Sequence, residues 1–267
     1  MDLKLSGKRA LVTGSTAGIG EAIARLLAVE GASIAIHGRD EGRGTQLVDE
    51  LKGGGTRTVF IKADLSVPDD IVGLAEQART TLGGVDVLVN NAAVYPQHTW
   101  FESSTDEWTR LYAVNVVASV RLIQLLVPEM KRAGWGRVVN ISSGEASKPF
   151  AHMPGYAATK AAINNATSSL CQALAGSGVT VNAVSAGLIR TAEVERWFYA
   201  EAKARGWRDD WDEIEAHILK SYLPVPVGHI GNPDDVARVV AFLASPDAAY
   251  INGAVVRVDG GSHTWAG

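Results

Sequence analysis

The strongest constraint on how this 267-residue chain can fold is a regular alternation of short β-rich runs with longer helical stretches. The runs 9–13, 33–37, 58–62, 85–90, 137–142, 179–184 and 254–258 read as strands. Between them, 18–30, 42–52, 68–82, 105–132, 156–175 and 233–244 are amphipathic or Ala-rich and read as helices. Runs such as Ile34-Ala35-Ile36 are apolar end to end, which suits strands buried on both faces. A strand that pairs in parallel with the next needs a crossover between them. The alternation therefore predicts an α/β fold: a doubly wound, parallel, seven-stranded sheet flanked by helices. No Pro/Ser-rich linker or shift in composition divides the chain, so residues 1–267 are expected to form one domain.

Composition removes several functional classes. With 46% apolar residues the chain is globular in character, and 25 basic against 29 acidic residues, with no long Lys/Arg run, argue against nucleic acid. The single cysteine, Cys171, cannot close an internal disulfide and reads as a small buried apolar residue; no Cys/His cluster has metal-ligand spacing. The N-terminus lacks a secretory apolar region, and no apolar run reads as long enough to span a membrane. A cytoplasmic protein is expected.

One segment breaks the rhythm. From 191 to 226 the chain carries Trp197, Phe198, Tyr199, Trp207, Trp211 and Tyr222, helical in 192–204 and 211–222 and interrupted near Gly206. An aromatic insertion at the end of a strand is where an α/β fold builds a binding site, so a helical substrate lid is expected here.

The turn Thr13-Gly14-Ser15-Thr16-Ala17-Gly18-Ile19-Gly20 joins the first strand to the first helix. Its glycines allow close approach to a pyrophosphate, and the helix N-terminus favours the anion. The alternative is a plain tight turn; the position between strand and helix favours a dinucleotide. The spacing Thr-Gly-x-x-x-Gly-Ile-Gly resembles the short-chain dehydrogenase/reductase family, whose fold is Rossmann-type, and further motifs extend the resemblance from Gly7 to Gly261. After the second strand, Arg39 offers a positive fork suited to a ribose 2′-phosphate, with Gly38 where NAD-preferring relatives carry an acid. NADP(H) is therefore expected over NAD(H). Arg39 could instead be a solvated loop residue. The resemblance further implies cofactor contacts from Ser15, Thr16, Ile19, Asp64, Leu65, Asn91 and Ala92, and from Gly187, Ile189 and Thr191 near the nicotinamide.

Tyr156 and Lys160 lie four apart on a helix and share a face. A nearby ammonium lowers a phenol's pKa, which would bring Tyr156 toward acid–base work. Ser143 precedes Tyr156 by thirteen residues, a separation resembling the family's, and is expected to hold the substrate oxygen. Ser142 is read as a neighbouring hydrogen-bonder. Asn115 is polar in an apolar helix. The resemblance implies that it distorts that helix and holds a water leading to Lys160; a packing role is the alternative. The implied activity is hydride transfer between a nicotinamide and a carbonyl or secondary alcohol. An NADPH-linked ketone or 3-oxoacyl reductase is the leading reading.

Substrate contacts are expected from Gly144 and Glu145, the stretches 150–153 and 94–101, and the lid. Their aromatic content points to an apolar or aromatic substrate, unless Trp197, Trp207 and Trp211 merely pin the lid. Glu145 and His152 could read a polar group of the substrate, with surface solvation the favoured reading for each. The resemblance implies a homotetramer or homodimer. Less favoured alternatives are an NAD-dependent alcohol dehydrogenase, a sugar-nucleotide epimerase and a catalytically silent NAD(P) sensor.

Overall fold

In the computed structural model, which describes residues 2–52 and 56–263, seven parallel strands form one sheet in the order β3-β2-β1-β4-β5-β6-β7. They are β1 (Arg9–Val12), β2 (Ser33–Gly38), β3 (Thr58–Lys62), β4 (Val87–Asn90), β5 (Gly136–Ser143), β6 (Val179–Ala186) and β7 (Val255–Val258). Helices α1 (Gly18–Val29), α2 (Glu41–Leu51) and α9 (Pro233–Ala244) cover one face. Helices α3 (Pro68–Leu82), α4 (Thr105–Tyr112), α5 (Ala118–Ala133) and α6 (Pro154–Ala173) belong to the other.

Successive strand residues point to opposite faces. Ala10, Val12, Ile34, Ile36, Val87 and Val89 enter one core, while Leu11, Ala35 and Leu88 enter the other. Both parities must be apolar, which is why these strands read as continuous apolar runs. Strand order reverses between β1 and β4, and the crevice beyond their C-terminal ends is where an open α/β sheet binds its ligand.

The expected single helix over 105–132 is in fact α4, a π-helical turn at Ala113–Val117 and α5. The buried Asn115 sits in that turn, and its side chain bonds outside the helix, which accounts for the extra residue. Taken as one span, Thr105–Ala133 is long and apolar enough to cross a membrane by length and composition, which corrects the sequence reading. Its inner face packs in the second core through Leu122, Leu126 and Met130.

The lid consists of α7 (Ala192–Arg205) and α8 (Trp211–Ser221). Gly206, in the left-handed region at φ 71°, ends α7, and the Asp210 carboxylate caps α8 by accepting from the Glu213 N–H. Phe198, Ala202, Trp211, Ile214 and Ile218 give the lid a small core of its own, closed by Ile230.

Candidate active site

Gly14 and Gly18 adopt φ of 62° and 56°, conformations that strain any residue with a Cβ. At Gly20 a Cβ would collide with the Gly14 carbonyl and Asn91. The turn is locked from β4. Thr13 Oγ1 accepts from the N–H groups of Asn91 (2.9 Å) and Ala92 (3.0 Å), and Asn91 Nδ2 donates to the carbonyls of Thr13 (2.9 Å) and Gly14 (3.1 Å). Thr16, Gly18 and Ile19 line the cleft, whereas Ser15 is fully buried and tied inward. Its hydroxyl donates to Val12 O and accepts from the His37 N–H, joining β1 to β2.

His37 was passed over in the sequence, yet it holds this end together. Its Nδ1 accepts from the Gly14 N–H at 3.0 Å and its Nε2 donates to Ala63 O at 3.2 Å. Burial pushes its pKa down to about 4, so the ring stays neutral in that tautomer. Arg39 lines the same end of the cleft and is joined by Arg43, which sequence reasoning also missed. Arg43 donates to Thr16 O at 2.9 Å and pairs with Glu21 at 3.1 Å. Asp40, adjacent to Arg39, caps α2 through the Arg43 N–H. A Cβ on Gly38 would lie 2.6 Å from the Thr16 side chain, leaving no room for an acid. Asp64 accepts from Ser66 N–H and Oγ, which hold its carboxyl below the usual range, and buried Leu65 completes the wall.

At the other end, β5 delivers Ser143 and the first turn of α6 delivers Tyr156. Pro154 starts that helix two residues earlier than expected; its missing N–H needs no partner there. The Ser143 side chain neighbours the Tyr156 phenol and favours its ionised form. Lys160, one turn on, donates from Nζ to Ile141 O at 2.7 Å and lies 5.5 Å from the Tyr156 ring centroid. Burial pushes Lys160 down to about 8 and drives the Tyr156 phenol upward, Ser143 only partly opposing it. Desolvation is the largest influence on the phenol and favours its protonated form at neutral pH. Ser142, beside Ser143 in the cleft wall, donates from Oγ to Lys160 O at 3.4 Å. Asn115 accepts from the Val94 N–H at 2.8 Å and donates to Val94 O and to Thr159 Oγ1 at 2.9 and 3.1 Å. Its side chain therefore fastens Val94, at the start of the 94–101 loop, to Thr159 on α6.

Gly187, Ile189 and Thr191 line the cleft between the two ends, and Thr191 also caps α7 by accepting from the Val194 N–H. The cleft encloses about 1080 Å³. Its substrate end is walled by Phe150, Met153, Leu188, Trp197 and Tyr222. The lid aromatics divide into two roles. Trp197 faces the cleft, whereas Trp211 is buried in the lid core under Arg190, and Trp207 stacks on His217. Trp100 and Phe101 are exposed, so only the start of the 94–101 loop contributes. Tyr95 meets Tyr156 edge-on at 5.9 Å and donates to Glu193 at the start of α7, tying loop to lid. Glu145, expected to be solvated, is instead buried, and His152 is half-buried with its Nε2 3.3 Å from the Tyr222 hydroxyl. Among the described residues no His/Cys/Asp/Glu group could hold a metal.

A family model described as short chain dehydrogenase matches residues 8–202. A D-beta-hydroxybutyrate dehydrogenase of Rhizobium meliloti (strain 1021) is 37% identical, the match covering 95% of this chain and 98% of that protein. A 3-oxoacyl-(acyl-carrier-protein) reductase of Vibrio cholerae is 34% identical over 98% of this chain and 99% of its own. The solved L-sorbose reductase from Gluconobacter frateurii, complexed with NADPH and L-sorbose, superposes with a TM-score of 0.94 at 31% identity, covering all of both chains.

Proposed function

Because the chain belongs to the short-chain dehydrogenase/reductase family, an oxidoreductase family acting on alcohol and carbonyl groups with a nicotinamide cofactor, we propose that it reduces a ketone with NADPH and that Tyr156 supplies the proton. The observation that carries this reading is a buried phenol beside Ser143, with Lys160 Nζ 5.5 Å from its ring centroid, at one end of a cleft whose other end is a glycine turn flanked by two arginines.

The glycine turn fits a dinucleotide: Gly14 and Gly20 lie too close to Asn91, Ala92 and the Gly14 carbonyl to admit a Cβ, which keeps the turn tight ahead of the helix N-terminus that would face a pyrophosphate. Thr16, Gly18 and Ile19 would hold the pyrophosphate, Arg39 and Arg43 the 2′-phosphate, Asp64 and Leu65 the adenine, and Gly187, Ile189 and Thr191 the nicotinamide. A bound reduced nicotinamide would supply one hydride, which carries both electrons of the reduction, to the carbonyl carbon. Ser143 Oγ orients the carbonyl oxygen. Tyr156 Oη gives that oxygen its proton, and Lys160, with a pKa near 8, is poised to replace the charge lost. Asn115 acts one step back, by holding Val94 and Thr159 and hence the first turn of α6.

The flank of the substrate is apolar or aromatic and lies against Trp197 and Phe150. Partly exposed Tyr112, Val117 and Val120 on the α4–α5 run support a soluble homodimer or homotetramer. The test is NADPH consumption with a panel of ketones and 3-oxoacyl thioesters, NADH in parallel, and Tyr156→Phe as control. Turnover with NADPH in excess of NADH is expected, falling on the order of 10²–10⁴-fold in the variant. Cofactor binding without turnover on any carbonyl or alcohol would contradict the reading in favour of a sensor.

A further inference from the structure

Two residues beyond Ser143, the wall of the cleft carries a carboxyl group that the reduction itself does not use. Glu145 is 8% exposed. One side of its carboxyl accepts from the Phe150 N–H, while Oε2 is buried with no hydrogen-bond partner, and no cation offsets its burial. A buried acid normally finds partners for both oxygens. Next to it stands a second such group. His263 packs its ring on Gly144; Nδ1 is engaged by Ser262 Oγ at 2.9 Å and lies 3.4 Å from Asp259, and Nε2 is buried without a partner. Both residues line the cleft. The position relative to the chemistry is set by backbone: the Glu145 N–H donates to Ser143 Oγ at 3.2 Å, and the Glu145 charge bears on both the Tyr156 phenol and the lid's Tyr222. The Glu145 carboxyl is therefore close enough to act on the Tyr156 phenol, with the His263 ring on the intervening Gly144.

We infer that Glu145, with His263 beside it, determines substrate specificity and selects a ketone bearing a hydroxyl group on the carbon next to the carbonyl. The inference rests on the ketone-reductase reading above. A hydroxyl both donates and accepts, which matches a carboxyl and an imidazole that each have one unpartnered atom, and the carbon next to the carbonyl is the one that lies nearest the Ser143 and Tyr156 hydroxyls that Glu145 adjoins. Burial holds the carboxyl up at about 7, so near neutrality it is present in both its accepting and its donating form. A plain ketone leaves Oε2 as it is, and a buried polar atom left unpaired discriminates by roughly 10- to 100-fold.

The experiment compares 1-hydroxy-2-butanone with 2-butanone, a pair that differs only in that hydroxyl, in the wild type, Glu145→Leu and Glu145→Gln. Calorimetric binding of 1,2-butanediol and 2-butanol to the enzyme–NADPH complex, in which neither can react, gives a second readout. The wild type is expected to favour the hydroxylated partner in both, by roughly 10- to 100-fold in kcat/KM. Glu145→Leu brings both ratios close to unity, and Glu145→Gln, which still offers an acceptor and a donor, retains most of each. Should Glu145→Leu fail to fold, the pH profile decides. In the wild type the kcat/KM ratio rises as the carboxyl ionises around pH 7, because a charged acceptor bonds a hydroxyl more strongly; in Glu145→Gln it is flat. Lys160 acts on both ketones alike and cancels in the ratio. Tyr156 and Tyr222 are pushed upward by burial, and His152 and His263 downward, so none of the groups facing Glu145 titrates with it. Both ketones reduced with a wild-type ratio near unity, together with equal binding of diol and alcohol, would overturn the inference and leave the reductase intact. NADPH binding with neither ketone reduced would count against the reductase, while the diol still tests Glu145.

Discussion

The two ends of the cleft are built on opposite principles. At the adenosine end nearly every polar atom is already engaged by protein: Asn91 with the glycine turn, Ser15 and His37 between β1 and β2, Asp40 with α2. These groups are scaffolding for the turn and are satisfied before any ligand arrives. At the substrate end the polar atoms of Glu145 and His263 are buried without partners, and the covering helices depend on a core separate from the two that flank the sheet. One end is a finished receptor for an invariant molecule, and the other is unfinished until its own ligand supplies the missing hydrogen bonds. The contrast teaches that cofactor recognition here belongs to the sheet, while substrate recognition belongs to residues whose packing is independent of it.

If that separation is real, damage to one end should leave the other alone. The largest effect is expected from Ile214→Ala, which opens a hole at a fully buried position in the lid core. A loss of ~2–5 kcal/mol in local packing should loosen the lid and raise KM for the ketone, with the NADPH dissociation constant nearly unchanged. Fluorescence titration of NADPH beside steady-state kinetics reads both, and equal damage to the two would break the comparison. Arg39→Ala makes the mirror-image test. Roughly tenfold weaker NADPH binding is expected from the lost charge-assisted contact, with NADH binding and ketone KM unmoved; loss of NADH affinity as well would mean that Arg39 shapes the turn and does not read the phosphate.

A third effect concerns stability. Burial raises Glu145 from 4.5 to about 7, so its contribution is fully present below pH 4.5 and is lost as the pH rises through 7. Glu145→Gln has no such loss. Between those pH values the wild type should fall relative to the variant by on the order of 1–3 kcal/mol in denaturant unfolding. His37, lowered from 6.5 to about 4, stabilises with opposite slope as the pH rises over that range, but it is common to both proteins and drops out of the difference. A pH-independent difference would mean that Glu145 is not desolvated, and the contrast between the two ends would weaken with it.

The same contrast governs what could be read from the amino-acid sequence. The glycine turn, Arg39 and the pairing of Tyr156 with Lys160 were legible because each is a short-range constraint: a left-handed φ, a strand end, a helical repeat. The sheet was legible because apolar residues at both parities admit few other folds. His37 and Arg43 were missed because their partners lie twenty-three and twenty-seven residues away across the sheet and turn. Glu145 was misjudged because burial is a property of what the lid and the C-terminal segment place over it. The desolvation of Tyr156 was out of reach for a related reason: helical spacing places Lys160 one turn away, but only packing sets how far the phenol is buried.

The most direct test of hydride transfer to a ketone uses NADPH carrying deuterium at the nicotinamide C4, with mass spectrometry of the alcohol formed from 1-hydroxy-2-butanone. The account predicts deuterium on the former carbonyl carbon and none on the oxygen-bound position, which draws its proton from Tyr156 and water. An alcohol free of deuterium with either C4 hydrogen labelled, or no alcohol from any ketone while NADPH still binds, would contradict it.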